Sequence, residues 1–162
     1  MKSAARVESD EQLARLLQIG VVLEEVVEVR AYQHYQRLPE DERDERIEDL
    51  LEDAREESAK HRRRLEALID ELDAESVPFE DIEAIVEAQY ARDGTDFDSV
   101  LYDQLNGEET AYKFYDDLVE AVEASDADFG VDREELLDTL RDIREAEAEG
   151  VEEIAELMEE RA

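Results

Sequence analysis

The chain has 162 residues, 42% hydrophobic and 43% charged, with 51 Asp and Glu against 18 Lys and Arg for a formal net charge of −33. That length suits one domain with one core, so residues 1–162 are expected to form a single domain. The absence of cysteine excludes disulfides, thiol catalysis and Cys-ligated zinc or iron–sulfur centres; no basic stripe offers itself to nucleic acid, and no apolar run approaches the ~20 residues of a membrane span.

Met1-Lys2-Ser3 lacks the apolar stretch of a signal peptide, which predicts a cytoplasmic location. Ser9 with Gln12 reads as a capping box opening a first helix over about 10–37, with Leu13, Leu16, Leu17, Gly20, Leu23, Val27, Ala31 and Tyr35 as its apolar positions. Pro39 fits a helix start, where its missing N–H is harmless. A second helix is predicted over about 40–73, carrying Ile47, Leu51, Ala54, Leu65, Leu68, Ile69 and Leu72 at helical spacing. The short connection makes these two an antiparallel hairpin.

Val77-Pro78 then opens a short amphipathic helix over about 79–91, followed by irregular chain from Ala91 to Phe97. A third long helix is predicted over about 97–124. A fourth spans about 133–160, with Asp132 and Glu135 as its capping box. No segment alternates with period two. The expectation is an all-α four-helix bundle, two antiparallel helical hairpins joined by a long crossover containing a short helix.

The charge has two readings. High net charge can prevent a core and leave a chain disordered, but the regular apolar spacing argues against that. In molar salt the Debye length falls to ~3 Å, so repulsion between surface carboxylates is screened and an acidic shell keeps a protein soluble. Only Lys2, Lys60 and Lys113 are lysines. Acid-rich, lysine-poor chains resemble those of haloarchaea and other organisms that accumulate salt, which implies a halophilic acidic protein.

The two hairpins are internally related. With an offset of eighty, Glu28, Ala31, Tyr32, Tyr35 and Leu38 match Glu108, Ala111, Tyr112, Tyr115 and Leu118. When the second helix is aligned with the fourth, Ser58 and His61 match Glu147 and Gly150. Each apolar seam carries polar residues at this level: Glu28 on the first helix, with Glu24 one turn earlier; Ser58 and His61 on the second; Glu108 on the third; Glu147 on the fourth. Buried carboxylates are costly unless paired or bound to a cation, and carboxylates with an imidazole suit iron, manganese or zinc. A glutamate at the edge of a seam can also simply reach solvent.

A Glu followed seven residues later by Tyr on the first and third helices resembles the ferritin and rubrerythrin-like superfamily. That resemblance spans about residues 10–160 and implies a ferritin-like bundle. It makes Glu28 and Glu108 terminal metal ligands, His61 the histidine of the second helix and Glu147 the glutamate of the fourth. The family's remaining two ligands are replaced here by Ser58 and Gly150. Glu57 neighbours Ser58 but points ~100° away around an α-helix, so it substitutes only through a distortion such as a π-turn. The tyrosines Tyr32, Tyr35, Tyr112 and Tyr115 are expected to pack in the core and hydrogen-bond the glutamates, and His34 to lie on the surface. Gly150 is expected to allow close packing or to leave room for water.

Two functions from different classes follow. One is a reduced metal site of Glu28, His61, Glu108 and Glu147, holding iron, with manganese or zinc as alternatives, for iron(II) oxidation or disposal of peroxide or oxygen with an unidentified redox partner. The other is a metal-free structural or interaction module with a vestigial site, in which His61 pairs with the glutamates. Val21, Val22, Val26 and Val29 exceed what one seam needs and suggest a homodimer; no membrane or nucleic-acid partner is expected.

Overall fold

Side chains at both predicted caps hold helix starts. The backbone N–H of Gln12 donates to Ser9 Oγ at 3.1 Å, while the Gln12 side chain accepts from the N–H of Glu8 at 3.0 Å. The N–H of Glu135 donates to Asp132 Oδ2 at 3.2 Å. These bonds satisfy donors that a helix start leaves without intrahelical partners. The computed structural model describes residues 7–37, 40–42, 45–72, 74 and 97–160, apart from the side chains of 30–32, 34–35, 37, 42 and 97–104.

Among these residues the secondary structure is entirely helical. Helix α1 spans Asp10–Arg37, a 3-10 turn Glu40–Glu42, α2 Glu45–Glu71, α3 Phe97–Glu123 and α4 Arg133–Glu160. The helix expected from residue 40 therefore begins as α-helix only at Glu45. Residues 40–44 are all charged, so nothing buries an α-helical face before Ile47. The short helix predicted over about 79–91 lies outside the described residues. No helix among those described is long and apolar enough to cross a membrane.

Helices α1 and α2 pack along most of their length, as do α3 and α4, while α2 and α4 touch far less. Leu13 and Leu17 near the start of α1 share a buried cluster with Leu65 and Leu68 near the end of α2, so this hairpin is antiparallel. Arg46 at the start of α2 meets Glu160 at the end of α4 at 2.7 Å, which makes α2 and α4 antiparallel too. The loop before α4 is tied to α1: the N–H of Gly130 donates to both carboxylate oxygens of Asp10 at 3.0 and 3.1 Å. Arg133 caps the end of α3 by donating to the carbonyls of Val122 and Glu123 at 2.8 and 3.3 Å.

The core has two parts on the α2–α4 side. The larger, around Leu65, Leu136, Leu140 and Ile143, fills one end of the bundle. A smaller cluster of Ile47, Leu51, Ile154 and Leu157 fills the other. Buried Ser58 and His61 lie between the two clusters along α2, and buried Glu147 along α4. Val21, Val22 and Val26 are buried within the chain, whereas Val29 is 46% exposed.

Leu65 is fully buried and its Cδ1 faces Gly20 on α1. Leu65→Ala is expected to lower the unfolding free energy by about 2–5 kcal/mol, the usual range for an aliphatic truncated to Ala in a packed core. Urea denaturation in molar KCl measures it. A loss below about 1 kcal/mol would show that this end of the bundle is not close-packed.

Candidate metal centre

His61 organises the polar layer. The residue is 3% exposed, and its two ring nitrogens have different surroundings. Nε2 lies 3.1 Å from Glu57 Oε1, one turn back on α2. A carboxylate there favours a proton on Nε2, so that Nδ1 offers a lone pair whenever the ring is neutral. Nδ1 is buried without a hydrogen-bond partner. It lies 3.4 Å from Glu24 Oε1 on α1 and 3.6 Å from Glu147 Oε1 on α4. Potential ligand atoms of Glu24, His61 and Glu147, all three buried, lie within 4.8 Å of one another.

The spacing suits a single ion. With metal–ligand bonds of ~2.0–2.2 Å, neighbouring ligand atoms stand roughly 2.8 Å apart in an octahedral shell and up to about 3.6 Å apart in a tetrahedral one. Distances of 3.4 and 3.6 Å fall inside that interval. An orphaned imidazole nitrogen facing two carboxylates is the donor set that a divalent cation completes.

Neighbouring groups hold these side chains in place. The Tyr115 hydroxyl, fully buried, donates to Glu24 Oε1 at 2.9 Å and lies 3.4 Å from the carbonyl oxygen of Gly20. Gly20 makes that approach possible: a Cβ there would sit 3.2 Å from the hydroxyl oxygen and 3.2 Å from Leu65 Cδ1. Burial, then the charges of Glu24 and Glu147, push the Tyr115 phenol well above its ordinary pKa, so it stays a hydrogen-bond donor. Phe114 packs edge-on against it with ring centroids 5.2 Å apart.

Electrostatics show the strain of the metal-free cluster. Burial, then the charge of Glu24 and contact with Glu108, hold the Glu147 carboxyl well above its usual range. Burial pulls the His61 pKa down, but Glu24 and then Glu57 outweigh it, and the ring ends above its ordinary value. The cluster thus retains protons that a bound cation would displace.

The expected residues divide as follows. His61 and Glu147 come together at the centre. Glu108, also buried, touches Glu147, and its carboxylate lies against Gly150, where a Cβ would stand 3.1 Å from its Cδ. The space at Gly150 is therefore filled by a side chain. Glu28 is not at the centre: it accepts from Arg62 at 2.9 Å in a partly exposed ion pair, and Glu24 stands beside His61 instead. Glu57 reaches His61 with no π-turn, because α2 is α-helical throughout and the contact is an ordinary i,i+4 pair. Among the tyrosines, Tyr115 contacts a glutamate and Tyr112 is 39% exposed; the side chains of Tyr32, Tyr35 and His34 lie outside those described. No family model, curated protein or solved structure matches this chain, so its chemistry is read from the geometry above.

Proposed function

We propose that this is a ferritin-like metal-binding protein that holds one divalent cation on Glu24, His61 Nδ1 and Glu147. Glu108 stands next to this set as an adjoining carboxylate, and Tyr115 orients Glu24. The observation that carries the proposal is the buried, unpartnered Nδ1 of His61 between two carboxylates. Two helical hairpins placing carboxylates from α1, α3 and α4 around a histidine from α2 support the ferritin-like assignment. One histidine with carboxylates suits iron(II), manganese(II) or zinc(II). If the cation is iron, the chemistry it supplies is iron(II) oxidation or disposal of peroxide or oxygen. In that setting the two flanking apolar clusters hold the layer in place from either end, and Tyr115 fixes the orientation of Glu24.

A metal-free role is favoured by one observation, that Glu147 already contacts Glu108 and Glu24, which together with burial hold its carboxyl pKa well above the usual range. Metal content separates the two. Protein purified in molar KCl without chelator, then loaded anaerobically with iron(II), is expected to carry about one ion per chain by elemental mass spectrometry. Glu24→Gln is expected to lose it and Glu28→Gln to retain it. Absence of metal from the loaded wild-type protein would leave the metal-free role.

A further inference from the structure

Residues of α2 and α4, with Glu108 of α3, line an open cleft of about 310 Å³ beside the polar layer. At ~30 Å³ per water molecule this volume holds roughly ten waters, or one small organic molecule. Ala54, Ser58, Ala146 and Gly150 keep its walls low, and its inner surface includes His61, Glu108 and Glu147. Two of the three proposed ligands, His61 and Glu147, thus line the cleft, and Glu24 lies behind them on α1. Three protein donors leave at least one coordination position for an outside ligand.

The rim is acidic. Asp53, Glu57, Glu149 and Glu153 line it, and no described lining residue is Lys or Arg. Arginines on other parts of the bundle stand in ion pairs, Arg64 with Asp142, Arg141 with Glu123 and Arg144 with Asp116. Partial burial, then the charges of Asp53, Glu149 and Glu156, raises the Glu153 carboxyl above its usual value, which reports a negative potential at the mouth. Low-dielectric walls carrying one sign of charge focus such a potential and select ligands by charge.

We propose that the α2–α4 cleft is the entrance to the metal centre and selects by charge, admitting divalent cations and small neutral molecules and excluding small anions. This rests on the metal-binding reading above. The cleft supplies the attraction for an arriving cation, and the same carboxylates raise the energy of any anion approaching the open coordination position. Substrates that are carboxylates or phosphate esters are thereby disfavoured, and an uncharged small molecule is the class that fits.

The test uses the full chain loaded with one equivalent of cobalt(II), whose visible absorption reports its coordination. Loss of this band in Glu24→Gln shows that cobalt occupies the proposed ligands. Imidazole, mostly uncharged at pH 8, and azide are then titrated at the lowest KCl concentration at which circular dichroism shows the helices intact, because molar salt screens exposed carboxylates within ~3 Å. In the wild-type protein imidazole is expected to change the band and azide to leave it unchanged at the same concentration. In the triple variant Asp53→Asn, Glu149→Gln, Glu153→Gln, whose changed side chains are all exposed, azide is expected to bind about tenfold more tightly and cobalt(II) to associate about tenfold more slowly. Circular dichroism checks that the helices persist. Failure to form the cobalt band overturns the metal reading itself. A band that forms but responds equally to azide in both proteins, or to neither ligand, overturns the entrance and its charge selection while leaving the metal site standing.

Discussion

Glu147→Gln is expected to stabilise the metal-free protein at pH 8 by about 1–3 kcal/mol, because replacing a buried charge with a neutral group of similar shape removes its desolvation penalty. The same change is expected to abolish metal binding. Glu147 is buried, with Glu24 and Glu108 as neighbours, and its carboxyl pKa lies well above 4.5. At pH 8 the folded state must either keep a proton there against the solution or confine another negative charge among carboxylates. The Gln side chain resembles the protonated carboxyl: its amide can donate to Glu24 and Glu108 with the same shape and no charge. Urea denaturation of both proteins, each treated with chelator, measures the difference. A loss of stability comparable to a core truncation would mean that the Glu147 carboxylate is a structural partner, and the site would then be a hydrogen-bonded cluster.

An opposition between stability and binding is what a functional site is expected to show, and it bears on what the sequence could reveal. The caps at Ser9 and Asp132 and the stripes from Ile47 to Leu72 and from Leu136 to Leu157 are local signals, and the structure forms helices there. His61 and Glu147 were legible because each interrupts an otherwise apolar stripe. Glu24 was harder to see because α1 is apolar around much of its circumference, which blurs its phase. The inward seam runs through Leu13, Leu17, Gly20, Glu24 and Val27, all buried, at spacings that alternate between four and three. Glu28 lies one residue past that seam, ~100° around the helix, where Arg62 meets it. The repeat reinforced Glu28 because sequence identity aligned it with Glu108, although the seam points to Glu24.

Glu57 and Gly150 show a different limit. Their roles depend on contacts that helical periodicity does not encode. Glu57 is exposed on α2 and matters through an i,i+4 bond to the far nitrogen of His61. Gly150 accommodates the carboxylate of Glu108 from another helix. The cleft lies between α2 and α4, which touch little, and the small residues Ser58 and Gly150 are part of its lining. The spacing of two small residues hints at space but not at what fills it.

Metal should stabilise the protein most at alkaline pH. At a free concentration one hundred times its Kd, a cation that binds only the folded state adds about 2.7 kcal/mol, equivalent to a rise in Tm of roughly 6–10 °C for a chain of this size. The metal-free protein should show the opposite trend with pH. The pKa values of His61 and Glu147 are raised on folding above their ordinary 6.5 and 4.5, so the folded cluster holds more protons than the unfolded chain. Stability from His61 is fully present below pH 6.5 and fades as pH rises through its folded value; that from Glu147 is fully present below pH 4.5 and fades over a range above it. As pH rises above 6.5 the metal-free protein should therefore lose stability, as Glu24, Glu57, Glu108 and Tyr115 face a cluster that is giving up protons. A cation competes with exactly those protons, so its affinity rises over the same interval. Calorimetry in constant molar KCl, with and without cobalt(II), should show a shift in Tm that is small near pH 5.5 and largest near pH 8, and absent in His61→Ala. A shift independent of pH, or retained in His61→Ala, would place the bound cation on surface carboxylates and away from the buried layer.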